Sequence, residues 1–189
     1  MSWTFFREFL TNWQTTGAVA PSSAWLARCM VKAARVAKAG CLLELGPGTG
    51  AFTQQIQQTL PTSARYLGLD MNPAFIATLR GRFPGLRFEQ SPAQDFDYGP
   101  YLADGGFDAI VCGLPWTAFP ESLQTAILDK AFGVLKPGGV FATFAYTGFH
   151  RLPQGQKFRE LLARRSSRLE TTGTVWRNLP PAFVYVASK

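Results

Sequence analysis

The chain contains few of the residues that bind metals or form disulfide bridges. Its 189 residues include one histidine, His150, and three cysteines without a C-x-x-C spacing. This odd number of thiols predicts free cysteines in a reducing compartment, and a lone histidine among scattered acids predicts no metal site. No apolar run approaches the ~18–20 residues that cross a bilayer, and the first residues lack the pattern of a secretion signal. We therefore expect a cytoplasmic, metal-free protein.

Acidic residues are scarce relative to basic ones. The 19 Lys and Arg against 12 Asp and Glu give a net charge of +7 and a pI of about 9.7. Two segments carry the excess: four basic residues and no acid lie at 28–38, and six basic residues against one acid lie at 151–168. This pattern predicts an anionic partner, either nucleic acid or an anionic lipid surface. We expect the second segment to act as a mobile cover over the ligands.

A glycine-rich segment at 42–51, LLELGPGTGA, predicts a nucleotide-type cofactor site. Its apolar run is typical of a buried strand, and its three glycines precede an amphipathic run. Glycines let the backbone approach a ligand where a Cβ would collide, and the turn opens a helix whose free N–H groups favour electron-rich ligands. The segment also satisfies G-x-G-x-x-[GA], so the glycines alone leave a dinucleotide as an alternative.

Glu44 and the chain length favour S-adenosylmethionine over a dinucleotide. Glu44 ends the first predicted strand, where it would repel a pyrophosphate but attract the ammonium of a methionine moiety. Asp70 ends the second strand and suits the ribose diol of either cofactor. The length leaves little room for the separate substrate domain of most dehydrogenases. Met71 is expected to pack on the adenine, with Ala93 and Gln94 at its edge. The remaining residues expected at this site are Gly46, Pro47, Gly48, Thr49, Gly50, Gly113 and Leu114.

Strand and helix patterns alternate along the chain and predict an α/β fold with helices on both faces of a mostly parallel sheet. Strands are expected at 41–45, 65–70, 86–90, 107–112 and 140–146, and helices at 2–14, 22–39, 51–59, 73–82 and 120–134, with a turn at 135–139. The late strands 168–175 and 183–187 are joined too closely for a parallel crossover, which predicts an antiparallel pair. We expect residues 1–20 to form an N-terminal helix and turn, followed by one domain over 21–189.

The predicted helix 2–14 has an aromatic face within about 160° of its wheel. Such helices suit the membrane interface, although the same face could cover the edge of the core. The predicted helix 22–39 would carry a basic face, suited to anionic headgroups or simply solvated. The residues expected at the membrane are Trp3, Phe5, Phe6, Phe9, Leu10, Trp13, Arg28, Lys32 and Arg35.

The segment after the fourth strand, 112–116, predicts the type of methyl acceptor. Methyltransferases that act on planar nitrogens carry an Asn or Asp here, which accepts hydrogen bonds from the base amine. This chain has Gly113 instead, which favours an aliphatic amine over adenine or cytosine. Aromatic faces can hold an aliphatic ammonium, and Trp116, Phe119 and Tyr146 are candidates for that role.

Several segments together resemble bacterial phospholipid N-methyltransferases, the soluble type related in fold to ribosomal RNA adenine dimethyltransferases. They are TGAVAPS (16–22), LELGPGTG (43–50), GLP (113–115) with FP (119–120), and WRNLPPA (176–182). The resemblance implies the class I methyltransferase (Rossmann-like) fold of seven strands. It also implies stepwise methylation of phosphatidylethanolamine, through its mono- and dimethyl forms, towards phosphatidylcholine. S-adenosylmethionine would be the methyl donor and S-adenosylhomocysteine the product, with the enzyme peripheral on the inner face of the cytoplasmic membrane.

The resemblance also implies roles for individual residues. Gly17 and Ser22 would line the methionine carboxylate, and Arg177 and Asn178 would hold the lipid phosphate. Headgroup contacts are expected from Pro115, Trp116, Phe119, Tyr146, Arg177 and Asn178.

The expected reaction is a direct displacement in which the lone pair of a neutral amine attacks the sulfonium methyl group and S-adenosylhomocysteine leaves. The amine must therefore first lose its proton. The catalytic candidates are Tyr146, Trp116 and His150, and water is the alternative proton acceptor. We expect a monomer that binds no nucleic acid. Two rival hypotheses remain: an RNA (adenine-N6) methyltransferase, and a protein that binds S-adenosylmethionine without catalysis.

Overall fold

The computed structural model describes residues 22–102 and 105–189, in which seven strands form a single sheet. The strands are β1 (Cys41–Leu45), β2 (Arg65–Asp70), β3 (Arg87–Gln90), β4 (Phe107–Cys112), β5 (Leu135–Tyr146), β6 (Arg168–Thr171) and β7 (Ala182–Ser188). The α helices are α1 (Ala24–Ala33), α2 (Ala51–Thr59), α3 (Pro73–Arg82), α4 (Glu121–Val134) and α5 (Pro153–Ala163). The predicted helix 2–14, with its six membrane candidates, and Gly17 lie outside the described residues.

The strand order is β3-β2-β1-β4-β5-β7-β6. Strands β1 to β5 pair in parallel, whereas β7 is antiparallel to both β5 and β6. The predicted class I methyltransferase fold is therefore confirmed. The strand order reverses between β1 and β4, and ligands of open α/β sheets bind at the carboxyl ends of the strands beside such a reversal.

Helices cover both faces of the sheet, so its central strands are buried on both sides. All five residues of β1 are buried. Leu43 packs in a layer with α4 and α5, whereas its neighbour Leu42 packs in the opposite layer with α1, α2 and α3. This burial explains why β1 is an apolar run in the sequence. Among the described residues, no helix combines the length and the apolar character needed to span a bilayer.

Strand β5 begins five residues earlier than predicted. Leu135 already pairs with Phe107, and the register then shifts before Ala109 pairs with Val140. Gly138 has φ +76° and donates a hydrogen bond to the Lys189 carbonyl. The expected turn at 135–139 is therefore an irregular part of the strand, because both neighbouring strands provide partners for it.

The predicted helix 22–39 is shorter in the structure. α1 ends at Ala33, Arg35 has φ +55°, and a 3₁₀ turn covers Val36–Lys38. The break places Val36 in the core, where it is fully buried. The prediction of one continuous basic face was wrong: Arg28 and Lys32 lie on α1, but Arg35 lies beyond its end.

The basic segment 151–168 is not a loose cover. It contains α5, which buries Phe158, Leu161 and Leu162 in the core beside α4. The prediction of a mobile cover was therefore wrong, because one face of this segment is apolar and packed. Its basic residues Lys157, Arg159 and Arg164 remain exposed.

Candidate active site

The turn between β1 and α2 is built on glycines with left-handed backbone. Gly46, Gly48 and Gly50 have φ of +68°, +56° and +87°. A Cβ at Gly46 would lie 2.7 Å from Leu114 Cδ2, and one at Gly50 would lie 2.9 Å from Phe83 Cε2. A Cβ at Gly48 would meet nothing within 4 Å. The turn is therefore packed on two sides and borders open space at Gly48, which fits a site where a ligand lies against backbone.

Asp70 ties the end of β2 to this turn. Its Oδ2 accepts a hydrogen bond from Gly48 N at 3.0 Å, and its Oδ1 accepts one from Asn72 N at 2.9 Å. Burial raises the pKa of the carboxyl, and the backbone hydrogen bonds partly oppose that rise. Each carboxylate oxygen can accept more than one hydrogen bond, so capacity remains for a ribose diol. The ribose role of Asp70 stays a prediction with compatible geometry.

Glu44 lies in the interior, in contrast to the direct ligand contact that we predicted. Its side chain is 0% exposed. The Tyr66 hydroxyl donates to Oε2 at 2.5 Å, and the Thr53 hydroxyl lies 2.9 and 3.1 Å from the two oxygens. Desolvation raises the pKa of Glu44 to about 7 despite these hydrogen bonds. Glu44 therefore joins β1, β2 and α2 beneath the turn.

The residues expected around the adenine lie at the carboxyl ends of β2 and β3. The Met71 carbonyl accepts a hydrogen bond from Gln90 Nε2 at 3.4 Å, and the Ala93 carbonyl accepts one from the Tyr98 hydroxyl at 2.9 Å. Met71, Ala93 and Gln94 are all partly exposed. The structure thus brings them to the same sheet edge as the glycine turn, and their contact with adenine stays a prediction.

The segment after β4 packs directly on the glycine turn. Gly113 N donates to the Leu45 carbonyl at 2.8 Å, and a Cβ at Gly113 would lie 2.7 Å from the Gly46 carbonyl oxygen. Two backbone segments therefore touch with no space for a side chain between them. In this arrangement, position 113 cannot carry the Asn or Asp acceptor of enzymes that methylate planar nitrogens.

Trp116 and Phe119 are core residues and do not form an open aromatic wall. Both side chains are buried, and the Trp116 ring stacks on Phe158 with centroids 4.6 Å apart. Trp116 Nε1 donates to Thr143 Oγ1 at 2.9 Å. We therefore correct the predicted catalytic and headgroup roles of Trp116 and the headgroup role of Phe119, because core side chains occupy their faces. Pro115 is partly exposed between them and the turn.

Tyr146 and His150 lie near the end of β5, and neither has the features of a general base. Burial raises the pKa of Tyr146 to about 12, so its hydroxyl is neutral at physiological pH. His150 Nδ1 accepts a hydrogen bond from Gly148 N at 3.3 Å, and its ring packs edge-on against Phe183. In the neutral imidazole, Nε2 then carries the proton and is a donor. Tyr146 is suited to orient an amine by hydrogen bonding.

Asn178 joins two distant parts of the chain. It is buried, its Oδ1 accepts a hydrogen bond from Ser23 N at 2.9 Å, and its Nδ2 donates to the Pro180 carbonyl at 2.7 Å. Ser23 is also the N-cap of α1. We therefore correct the predicted lipid-phosphate role of Asn178, because its amide is used internally. Arg177 is exposed, and Ser22, partly buried, lies beside the Asn178 contact.

Several residues that hold the site were not among the predicted site residues. Thr53 and Tyr66 surround Glu44, the Arg82 guanidinium donates to the Thr49 carbonyl, and Gln124 Nε2 donates to the carbonyls of Trp116 and Phe119. One signal was available for the first pair, because a buried carboxylate needs hydrogen-bond donors close by. No local pattern marks Arg82 or Gln124.

Known proteins that resemble this chain in sequence and in structure are methyltransferases. Residues 42–139 match the family described as "Methyltransferase domain". An ornithine lipid N-methyltransferase from Singulisphaera acidiphila is 30% identical and aligns with 96% of this chain and 92% of its own length. A trans-aconitate 2-methyltransferase from Methylobacterium radiotolerans is 31% identical over 65% of this chain and 42% of its own. In structure, an O-methyltransferase from Bacillus cereus, solved in complex with SAH, aligns with 100% of this chain and 92% of its own at TM-score 0.69 and 16% identity.

Proposed function

Because this chain belongs to the S-adenosylmethionine-dependent methyltransferases, we propose that it methylates the amine of a membrane lipid headgroup. The proposal of an aliphatic amine, as opposed to a nucleobase, rests on the backbone contact between Gly113 and Gly46. This contact leaves no space for a side chain that would recognise a base. The proposal of a lipid substrate is supported by the share of the chain that each relative aligns with. The ornithine lipid N-methyltransferase aligns with 96% of this chain, whereas the trans-aconitate enzyme aligns with 65%.

The described residues fit S-adenosylmethionine. We assign the glycine turn 46–50, with its open space at Gly48, to the methionine end, and Asp70 to the ribose. We assign Met71, Ala93 and Gln94 to the adenine. When bound, this cofactor would supply a methyl group on a positively charged sulfur. A neutral amine can accept that methyl group directly, with the sulfur as the leaving group.

The chain's own contribution is to position the amine and exclude water, without a covalent intermediate. An alkyl ammonium must release its proton before it can act as a nucleophile. We assign this proton to solvent, because the Tyr146 hydroxyl is neutral at physiological pH and His150 Nδ1 accepts a hydrogen bond from Gly148 N. We assign to the Tyr146 hydroxyl, at the carboxyl end of β5, a hydrogen bond to the amine.

Two lipid amines are candidates. Phosphatidylethanolamine and its mono- and dimethyl forms, leading to phosphatidylcholine, are the substrates implied by the sequence resemblance. Ornithine lipid is the second candidate, and the name of the relative from Singulisphaera acidiphila favours it. Either substrate would place the enzyme as a peripheral protein on the inner face of the cytoplasmic membrane. The predicted helix 2–14 would contribute to that binding, as a proposal that rests on sequence alone.

Incubation of the protein with methyl-labelled S-adenosylmethionine, vesicles and total RNA tests this proposal. Parallel vesicle samples contain phosphatidylethanolamine or ornithine lipid, and extraction then separates lipid from RNA. We expect label in lipid, and the vesicle type decides between the two substrates. Label in RNA alone would refute the lipid proposal. Cofactor binding by calorimetry without label in any fraction would favour the non-catalytic alternative. An Asp70→Ala variant serves as the control that shows whether labelling depends on the proposed cofactor site.

A further inference from the structure

Large apolar side chains are exposed where α1 meets the segment that joins β6 to β7. Trp176 is 74% exposed, Leu179 is 78% exposed and Trp25 is 48% exposed. Single exposed apolar residues are common in soluble proteins, but adjacent tryptophans and leucines mark interaction surfaces. We call this surface, together with its two arginines, the tryptophan–arginine patch: Trp25, Arg28, Trp176, Arg177 and Leu179.

The two arginines of the patch converge on one ring. The guanidinium carbons of Arg28 and Arg177 lie 4.4 and 4.5 Å from the centre of the Trp25 ring. The aromatic ring orders both groups without neutralising their charge. Within 22–102 and 105–189, none of the ion pairs involves either arginine. Two positive groups therefore lie beside exposed apolar surface.

The patch is held in place at the edge of the active site. Asn178, between Arg177 and Leu179 in the chain, is buried and bonded to Ser23 at the start of α1. β7 begins at Ala182, which pairs with Tyr146 at the end of β5. The patch thus borders the same edge of the sheet as the proposed acceptor site.

We propose that the tryptophan–arginine patch is a contact surface for an anionic lipid bilayer. Trp176 and Leu179 insert at the level of the headgroups, where indole rings are favoured. Arg28 and Arg177 bind lipid phosphates, which match the planar donor geometry of guanidinium. The proposal deepens the proposed function and rests on it, because this contact brings headgroup amines to the edge that holds Tyr146.

Charge complementarity argues for a bilayer over a second copy of the chain. A two-fold dimer would bring the same patch together from both subunits, so that Arg28 and Arg177 would face their own copies. Each like-charge contact would oppose that association. An anionic bilayer offers phosphates and an apolar layer together, which matches the composition of the patch.

Vesicle flotation of the full-length protein without S-adenosylmethionine tests the patch. Vesicles of phosphatidylcholine with phosphatidylglycerol are compared with vesicles of phosphatidylcholine alone. We expect about a tenfold loss of affinity for the anionic vesicles in Trp176→Ala/Leu179→Ala, since each side chain loses apolar burial. We expect at least about a fivefold loss in Arg28→Glu/Arg177→Glu.

Two matched controls lie away from the patch. Leu102→Ala removes another exposed leucine, 39% exposed, and Arg164→Glu reverses an exposed charge at the C-terminal end of α5. Both controls are expected to bind anionic vesicles as the wild type does. Circular dichroism and thermal melting confirm that each variant is folded, which is expected because the substituted patch side chains are exposed.

The outcomes separate this inference from the proposed function. Patch variants that bind anionic vesicles like the wild type overturn the inference, even if the wild type methylates lipid. A wild-type dimer on gel filtration that the patch variants dissolve, or a loss of RNA binding alone, also overturns it in favour of another partner. If the patch variants lose vesicle binding and the wild type methylates no lipid, the bilayer contact is supported, but the proposed function fails and with it the link from this contact to methylation. Retained methylation of detergent-dispersed lipid by Trp176→Ala/Leu179→Ala further supports the inference.

Discussion

Glu44 is expected to make the free energy of unfolding depend on pH. Its pKa is about 7 in the folded protein against an ordinary 4.5, because desolvation outweighs the hydrogen bonds from Tyr66 and Thr53. The unfolded chain therefore releases this proton at a lower pH than the folded chain does. Below pH 4.5 the protonated carboxyl contributes its full stabilisation, which is lost as the pH rises through 7.

The size of this effect follows from the two pKa values. At about 1.4 kcal/mol for each pH unit between them, the whole effect is roughly 3 kcal/mol. Most of it, roughly 2–3 kcal/mol, falls between about pH 5 and about pH 8. A Glu44→Gln variant keeps the side-chain shape and, like the protonated carboxyl, offers one carbonyl oxygen beside a donor. It cannot ionise, so it lacks this contribution.

Urea unfolding of the wild type and of Glu44→Gln across this pH range measures the difference directly. Other titrating groups are shared by the two proteins, so the difference between their curves isolates Glu44. We expect the wild type to lose about 2–3 kcal/mol relative to the variant from about pH 5 to about pH 8. Parallel curves would contradict this prediction and would mean that Glu44 ionises as easily in the folded protein as in the unfolded one.

Three further substitutions test the site. Asp70→Asn should weaken S-adenosylmethionine binding about tenfold in calorimetry, because a charged acceptor for Gly48 N and for the ribose is lost. Gly113→Ala should lower the free energy of unfolding by about 1–3 kcal/mol in urea, because its Cβ meets the Gly46 carbonyl. Asn178→Ala should lower it by about 1–3 kcal/mol, because Ser23 N loses its acceptor.

Controls for these variants come from the same chain. Gly133→Ala lies within α4, where a Cβ meets nothing within 4 Å, and should be neutral or stabilising. Asp97→Asn changes an exposed carboxylate and should leave cofactor affinity unchanged. Equal stability of Gly113→Ala and the wild type would show that the two backbone segments can separate. Unchanged cofactor affinity in Asp70→Asn would remove our assignment of the ribose.

The fold was predictable because its signals are local. The β1 run is apolar since both of its faces are buried, and the glycines at 46, 48 and 50 are required by left-handed backbone within a single turn. Both signals can be read from ten consecutive residues. The antiparallel pair followed in the same way from the short connection before β7.

The roles of several site residues depend on distant partners, and the sequence did not reveal them. Trp116 is buried because Phe158 of α5 stacks on it, which no pattern near position 116 indicates. Glu44 is interior because Tyr66 and Thr53 satisfy its oxygens. Asn178 was noticed as part of a motif, but its burial gives it a structural role. Each of these residues could be recognised as a candidate from its amino-acid type. Packing against distant residues, however, determines where its side chain points.

The hydrogen bond between Ser23 and Asn178 also affects when the tryptophan–arginine patch forms during folding. It connects positions 155 residues apart, and contacts of such separation carry a large loop-closure entropy until the intervening chain is folded. The two halves of the tryptophan–arginine patch therefore meet only after the sheet between them has formed. A nascent or partly folded chain would lack the assembled surface, so attachment to the bilayer through it would be reserved for molecules whose catalytic domain is complete.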